Sequence, residues 1–160
     1  MLRISRIKLS EIPDAKRLLK TTWIDTYGRL YTKKSIEKIT GVWHSKENLI
    51  SQAKGKEFYF GVAKENKKIV GLVTVRNMND GSVFLQRLYI HPKHQRKGVG
   101  KKLMNKALAY FNANKAMLEV EEKNGKAIDF YKKNGFMPVK KKNEDIEGQS
   151  IYVLLMEKKL

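Results

Sequence analysis

The spacing of apolar positions changes several times along the chain, and each change predicts an element. Leu2–Lys8 alternates and reads as a strand. Ile12, Ala15, Leu18, Leu19, Trp23 and Tyr27 then recur at three- and four-residue intervals and share one helical face. Ser10 is placed to cap that helix, starting near Glu11, and Pro13 is tolerated in its first turn. Two more helical segments begin near Thr32 and Ser45, interrupted by Gly41 and Trp43. Three strands follow: Glu57–Glu65, Lys68–Met78 across the polar turn Asn66–Lys67, and Ser82–Ile90 after the tight turn Asp80–Gly81. Pro92 ends the last of these. A helix from about Gly98 to Asn112 turns Val99, Leu103, Ala107, Leu108 and Phe111 inward. Ala116–Glu122 is a strand, Asn124–Gly135 a short helix with a glycine stop, and Ile151–Lys159 a last strand after a charged hairpin around Asn143–Gly148. The order predicts one domain over residues 1–160, a mixed α/β layer of one sheet with helices against it.

Composition narrows the function classes. The 160 residues are 41% hydrophobic, enough for a real core, and no apolar run reaches membrane-spanning length. The first residues lack the apolar stretch and cleavage site of a signal peptide. With no cysteine, disulfides, thiolate nucleophiles and cysteine metal sites are excluded, and the cytoplasm is the expected location. Abundant lysine without cysteine also fits growth at high temperature. The formal charge of +18 predicts attraction to polyanions or to an anionic small molecule. It is unevenly spread. Between Asp80 and Glu119 there is no acid, while Arg87, Lys93, Arg96, Lys97, Lys101, Lys102, Lys106 and Lys115 fall inside that span. Acids gather at Glu119, Glu121, Glu122, Glu144, Asp145 and Glu147.

Within the basic span, Gly98 and Gly100 open the helix. They either relieve crowding where the helix crosses the sheet or keep side chains away from its free N–H groups, where an anion sits. Gln95, Arg96 and Lys97 add donors and charge there, which favours the anion, and diphosphate is the natural guest. Two mid-chain glycines do not match the three-glycine dinucleotide fingerprint, and KGVGKKL lacks the pattern of the nucleoside-triphosphate loop.

These residues resemble the acetyl-CoA signature of the GCN5-related N-acetyltransferases, whose core is Gln/Arg-x-x-Gly-x-Gly/Ala. Gln95, Gly98 and Gly100 supply it, and Asn124, Ala127, Phe130, Tyr131, Gly135 and Phe136 match the family's later block. The resemblance implies the family's acyl-CoA N-acyltransferase fold, a largely antiparallel sheet with splayed fourth and fifth strands, here Val83–Ile90 and Ala116–Glu122. It implies acetyl-CoA in the gap and a reaction that needs no metal. Leu88, Tyr89 and Ile90 would pair through their backbone with pantetheine. Gln95, Arg96, Lys97, Gly98, Val99, Gly100 and Lys101 would hold the pyrophosphate, with Lys93 or Lys97 near the 3′-phosphate.

The same resemblance makes Tyr131 the general acid toward the CoA sulfur and Asn124 a cofactor ligand. The residues alone equally allow a core aromatic and a helix cap. Many relatives carry a glutamate base where this chain has Gln86, so Glu119 and Glu121 become the alternatives, with ordinary strand acids as the competing reading. Trp23, Tyr27 and Tyr31, at four-residue spacing, form either a core stripe or the border of an acceptor groove, with Asp25 nearby to attract an amine. This stretch is similar to the spermidine/spermine acetyltransferase branch called PaiA-like. A polyamine or other small amine is the expected acceptor, with a protein N-terminus or lysine as alternative and a self-associating dimer possible in principle. Non-catalytic nucleic-acid binding is the secondary reading of the charge. His91 and His94 flank Pro92 where they meet either phosphate or solvent, His44 is isolated, and no zinc pattern appears.

Overall fold

The computed structural model describes residues 1–146 and 148–160; Glu147, grouped above with the acids of the last hairpin, lies outside the described residues. The chain enters through β1 (Arg3–Arg6) and a 3₁₀ turn at Leu9–Glu11, then forms helices α1 (Ile12–Tyr27), α2 (Lys33–Trp43) and α3 (Lys46–Lys54). A meander follows: β2 (Phe58–Glu65), β3 (Lys68–Asn77) and β4 (Ser82–Ile90). Helix α4 (Val99–Leu108), β5 (Lys115–Glu121), α5 (Gly125–Lys133), β6 (Met137–Ile146) and β7 (Gln149–Lys159) complete the chain. The strands form one sheet in the order β1-β2-β3-β4-β5-β7-β6. The β4–β5 pair is parallel and the other described pairs are antiparallel, so α4 is the crossover that a parallel pair requires.

Two layers cover the sheet. On one face α4 and α5 bury Leu103, Met104, Ala107, Tyr131 and Phe136 against Val73, Val75, Leu85 and Leu118. On the other, α1 and α3 bury Ile12, Leu18, Leu19 and Leu49 against Phe60, Val62 and Leu72. Each fully buried aliphatic side chain contributes on the order of 1.5–3 kcal/mol.

Several local expectations are corrected. Ser10 does not cap α1. The 3₁₀ turn precedes the helix, and Glu11 closes it by accepting from the Lys8 N–H at 2.9 Å. Thr32 and Ser45 do cap α2 and α3, accepting from Ser35 N and Asn48 N, both at 3.1 Å. Gly41 and Trp43 lie within α2 and do not interrupt it. A Cβ at Gly41 would meet nothing within 4 Å, and Trp43 packs edge-on against Trp23 at 5.8 Å. Helix α4 ends at Leu108, before Asn112, whose φ of 53° is left-handed.

Arg87 is not part of the basic surface, and His44 is not isolated. Arg87 is buried on the α2–α3 side of β4. Its Nε donates to His44 Nδ1 at 3.1 Å, and its guanidinium also reaches Gln52 Oε1, Thr74 Oγ1 at 3.3 Å and the Trp43 carbonyl at 2.6 Å. All four acceptors are uncharged. Burial, then the neighbouring Arg87 charge, pushes the His44 pKa down to about 3. A histidine held neutral in the fold but free to protonate when unfolded stabilises the protein fully above about pH 6.5. That stability is lost as pH falls from there toward the folded pKa. Denaturant unfolding should therefore show stability dropping on the order of 1 kcal/mol per pH unit between about pH 6 and 4. The His44→Gln variant should lose that component of the slope.

Candidate active site

The site begins where the sheet comes apart. Strands β4 and β5 pair from Ser82↔Lys115 to Leu85↔Leu118 and no further. The next residue, Gln86, sits in a bulge, because Val75 pairs with Leu85 while Thr74 pairs with Arg87. A bulge bends its strand and increases its twist, here just past the last β4–β5 pair. Leu88, Tyr89 and Ile90 therefore run beside a gap, paired to β3 on one side and not to β5 on the other. Gln86 itself is exposed.

At the end of β4 the chain turns through Pro92–His94 into α4. Gln95 pins this turn, its side-chain amide donating to the Ile90 carbonyl at 3.0 Å. Arg96 and Lys97 are exposed, as is Lys101 in the first turn of α4. The first described helical bond of α4 runs from Lys102 N to Gly98 O at 3.1 Å, so the N–H groups of Val99, Gly100 and Lys101 precede the helical ladder.

Crowding does not explain the two glycines. Gly98 has φ +80°, so it is required for its left-handed backbone, and a Cβ there would meet nothing within 4 Å. At Gly100 a Cβ would lie 3.5 Å from Phe130 and 3.6 Å from Ile90, ordinary contact distances. The tight crossing is at Gly71, where a Cβ would come within 2.7 Å of Ile90 Cδ1 and 3.0 Å of Leu103 Cδ1. Gly100 thus answers no demand of the packed protein and leaves open the space in front of three N–H donors and the dipole of α4. The two positions should separate experimentally. Gly98→Ala should cost about 1–2 kcal/mol for a left-handed alanine. Gly100→Ala, by its helix preference, should leave melting unchanged or raised, yet weaken binding of a diphosphate-bearing ligand about tenfold by calorimetry.

Across the gap, residues distant in sequence meet. Asn124 caps α5, its Oδ1 accepting from Ala127 N at 3.2 Å, while its Nδ2 makes a long 3.4 Å bond to the Tyr27 hydroxyl. The amide thus caps α5 and ties it to the aromatic face of α1. Glu121 is buried and accepts from the Tyr31 hydroxyl and from Lys123 N at 3.3 Å. Trp23 Nε1 donates to the Tyr89 hydroxyl at 3.1 Å. Trp23, Tyr27 and Tyr31 stack in a row, with centroids 4.5 and 5.9 Å apart. Tyr31 lies beyond the end of α1 and keeps its place in the row through a turn, with its N–H bonded to the Tyr27 carbonyl at 3.0 Å.

The tyrosines keep their protons. Burial first, then neighbouring Tyr89, raises the pKa of Tyr131 well above the ordinary phenol value. Tyr27 is raised by the same two causes in the same order. Tyr31 is raised by burial, then by its bond to Glu121. At neutral pH all three are hydrogen-bond donors. Tyr131 belongs to the α4–α5 core, its ring 5.4 Å from Phe130 and 5.7 Å from Phe136.

The two strand acids differ. Glu119 is bound by Lys142 of β6 at 2.5 Å, whereas Glu121 reaches the aromatic row. Asp25 does not join the group: it is exposed, two positions from buried Trp23 and Tyr27 and so on the outer side of α1. Sequence reasoning used Tyr89 for its backbone alone and missed its hydroxyl, and it put Tyr31 in the aromatic stripe without its bond to Glu121. His91 accepts from Lys93 N at 3.2 Å, and His94 bonds Glu65 at 2.9 Å. Among the described residues no group of three or more His, Cys, Asp or Glu is arranged to hold a metal ion, and no helix is long and apolar enough to cross a membrane.

Known proteins share this architecture. A spermidine N(1)-acetyltransferase from Thermoplasma acidophilum is 26% identical, over 99% of this chain and 97% of that protein. The crystal structure of the PaiA N-acetyltransferase from Thermoplasma acidophilum, in complex with coenzyme A, superposes with a TM-score of 0.83 at 24% identity, covering 100% of this chain and 99% of that one. The ribosomal-protein-S18-alanine N-acetyltransferase from Escherichia coli superposes at 0.75 with 17% identity, over 99% and 94% of the two chains. At these identities the two structures speak for the fold. The family model for the acetyltransferase (GNAT) family matches residues 16–136, and with the split sheet and the glycine-opened helix this places the chain in the GNAT family.

Proposed function

We propose that the protein transfers the acetyl group of acetyl-CoA to a small primary amine, with polyamines as the leading acceptor class. The observation that carries this reading is the gap between β4 and β5, which ends at the N-terminus of α4 beside Gly98 and Gly100. The backbone of Leu88–Ile90 lies along it to orient the thioester. The N–H groups of Val99, Gly100 and Lys101, with Arg96 and Lys97, receive the pyrophosphate.

The proton steps follow from the mouth. An amine attacks only when neutral, and its nitrogen loses a proton as the new amide bond forms. The Tyr31 oxygen accepts that proton as its own passes to Glu121. Tyr131, protonated at neutral pH, offers its proton to the departing thiolate. Asn124, held as a cap, fixes the Tyr27 hydroxyl at the edge of the site.

For the acceptor, a row of three aromatic rings ending on a carboxylate suits a cation before it is deprotonated. Trp23 and Tyr27 back this site from the core, and the Glu121 carboxylate beside half-buried Tyr31 opposes the +18 field that would otherwise repel a polyamine. The resemblance to the Thermoplasma spermidine N(1)-acetyltransferase supports the same class.

The test begins with calorimetric titration of acetyl-CoA and CoA at moderate salt. Release of the CoA thiol is then followed with spermidine, small monoamines and peptide N-termini. Binding with turnover on spermidine supports the full reading. Turnover on peptides alone moves the acceptor to protein. Absence of CoA binding overturns the reading, and salt-dependent binding of nucleic acid irrespective of sequence would then take its place.

A further inference from the structure

A groove of about 830 Å³ runs between α1 and α2, on the side of α1 facing away from the sheet. The proposed reaction leaves it unused. Its size falls within the roughly 300–1,000 Å³ typical of small-molecule sites. Helices α1 and α2 are joined by the short turn after Tyr27, so they run back along one another. The end of α2 meets α1 at Trp23, whose ring lies 5.8 Å from Trp43 and 6.0 Å from His44. Its lining brings the cations Lys16, Arg17, Lys20 and Lys33 together with His44 and the apolar Leu19, Ile24 and Ile36. Arg17 is paired with Asp14, and Glu37 is the acid among the lining residues. The groove thus combines an excess of cations with apolar walls.

His44 makes the groove more than a surface patch. It is 3% exposed. Arg87 Nε can only donate, so His44 Nδ1 is the acceptor and the ring proton sits on Nε2. Among the described residues that N–H has no hydrogen-bond partner. A buried donor without an acceptor is destabilising, and a ligand oxygen would relieve it.

We propose that this groove is a second ligand site, for a small amphipathic carboxylate. Its head accepts from His44 Nε2 and pairs with Lys16 and Lys20, and its alkyl tail lies along Leu19, Ile24 and Ile36. His44 also packs against Trp23 and Tyr89, with centroids 6.0 Å away in each case. Occupancy therefore bears on the wall of the acceptor site.

Dodecanoate, below its micelle concentration, is the probe, titrated calorimetrically into the native protein. Saturable 1:1 binding is expected. Reversing two charges in Lys16→Glu/Lys20→Glu should weaken it about tenfold or more, as should placing a carboxylate on the tail path in Ile24→Glu. All three positions are exposed, so these variants should fold, and an unchanged melting temperature checks this. Dodecyltrimethylammonium, with the same tail and opposite charge, should bind at least about tenfold more weakly. No saturable binding, equal binding of the two surfactants, or affinity unchanged in either variant overturns the proposal. So does competitive displacement by CoA, which would put the alkyl chain in the β4–β5 gap, or exclusion of dodecanoate by a concentration-dependent dimer, which would assign the groove to a second copy. None of these outcomes depends on whether the protein acetylates an amine.

Discussion

Tyr131→Phe should lower kcat by about 10²-fold or more while leaving the affinity for acetyl-CoA nearly unchanged. Among the described residues the hydroxyl has no hydrogen bond that holds the fold, and the ring keeps its place against Phe130 and Phe136. Only the proton offered to the thiolate disappears. An acetyl thioester with a more acidic thiol has less need of that proton, so such a donor should narrow the gap between variant and native enzyme. A purely structural tyrosine predicts a different result: a lower melting temperature and an equal loss with both donors.

Glu121→Gln should reduce kcat/KM for the amine by about 10²-fold, whereas Glu119→Gln should cost no more than about threefold. The two acids lie two residues apart on the same face of β5, so bulk electrostatics would treat them alike. Their partners do not. Lys142 holds the Glu119 charge, while Glu121 is bonded by a tyrosine that borders the aromatic row. Tyr31→Phe should fall between the two, since the carboxylate stays but the connecting hydroxyl is gone. Steady-state release of CoA with one amine decides the order, and equal losses at positions 119 and 121 would remove Glu121 from the proton path.

The sequence was most informative where physics is local. Alternation, helical spacing and turn residues placed the β2–β3 hairpin, the inward face of α1, the starts of α2 and α3 near Thr32 and Ser45, and the opening of α4. It was least informative where partners come from afar. Tyr31 and Glu121 are 90 positions apart, and Asn124 and Tyr27 are 97. Arg87 read as one more surface cation, because nothing local says that His44 and Gln52 will fold over it. The Gln86 bulge was hidden too, since one extra residue leaves an apolar strand looking continuous. Asp25 was drawn to the site by adjacency in sequence, though two positions along a helix is more than half a turn. The branch suggested by the Trp23–Tyr31 stretch goes no further than a distant relative's 26% identity.

The split between β4 and β5 has a consequence for how the backbone breathes. Most sheets carry their unpaired edges at the rim, yet here β4 has one in the middle of the molecule, beyond Leu85. Amides of β4 that point into the gap should exchange with deuterium far faster than those that face β3, although both belong to one strand. On the proposed reading, pantetheine supplies the absent neighbour, and CoA should slow exchange along Leu88–Ile90 while leaving the β2–β3 hairpin untouched. The cosubstrate would then act as a removable strand, and the two halves of the sheet would be joined most firmly while it is bound.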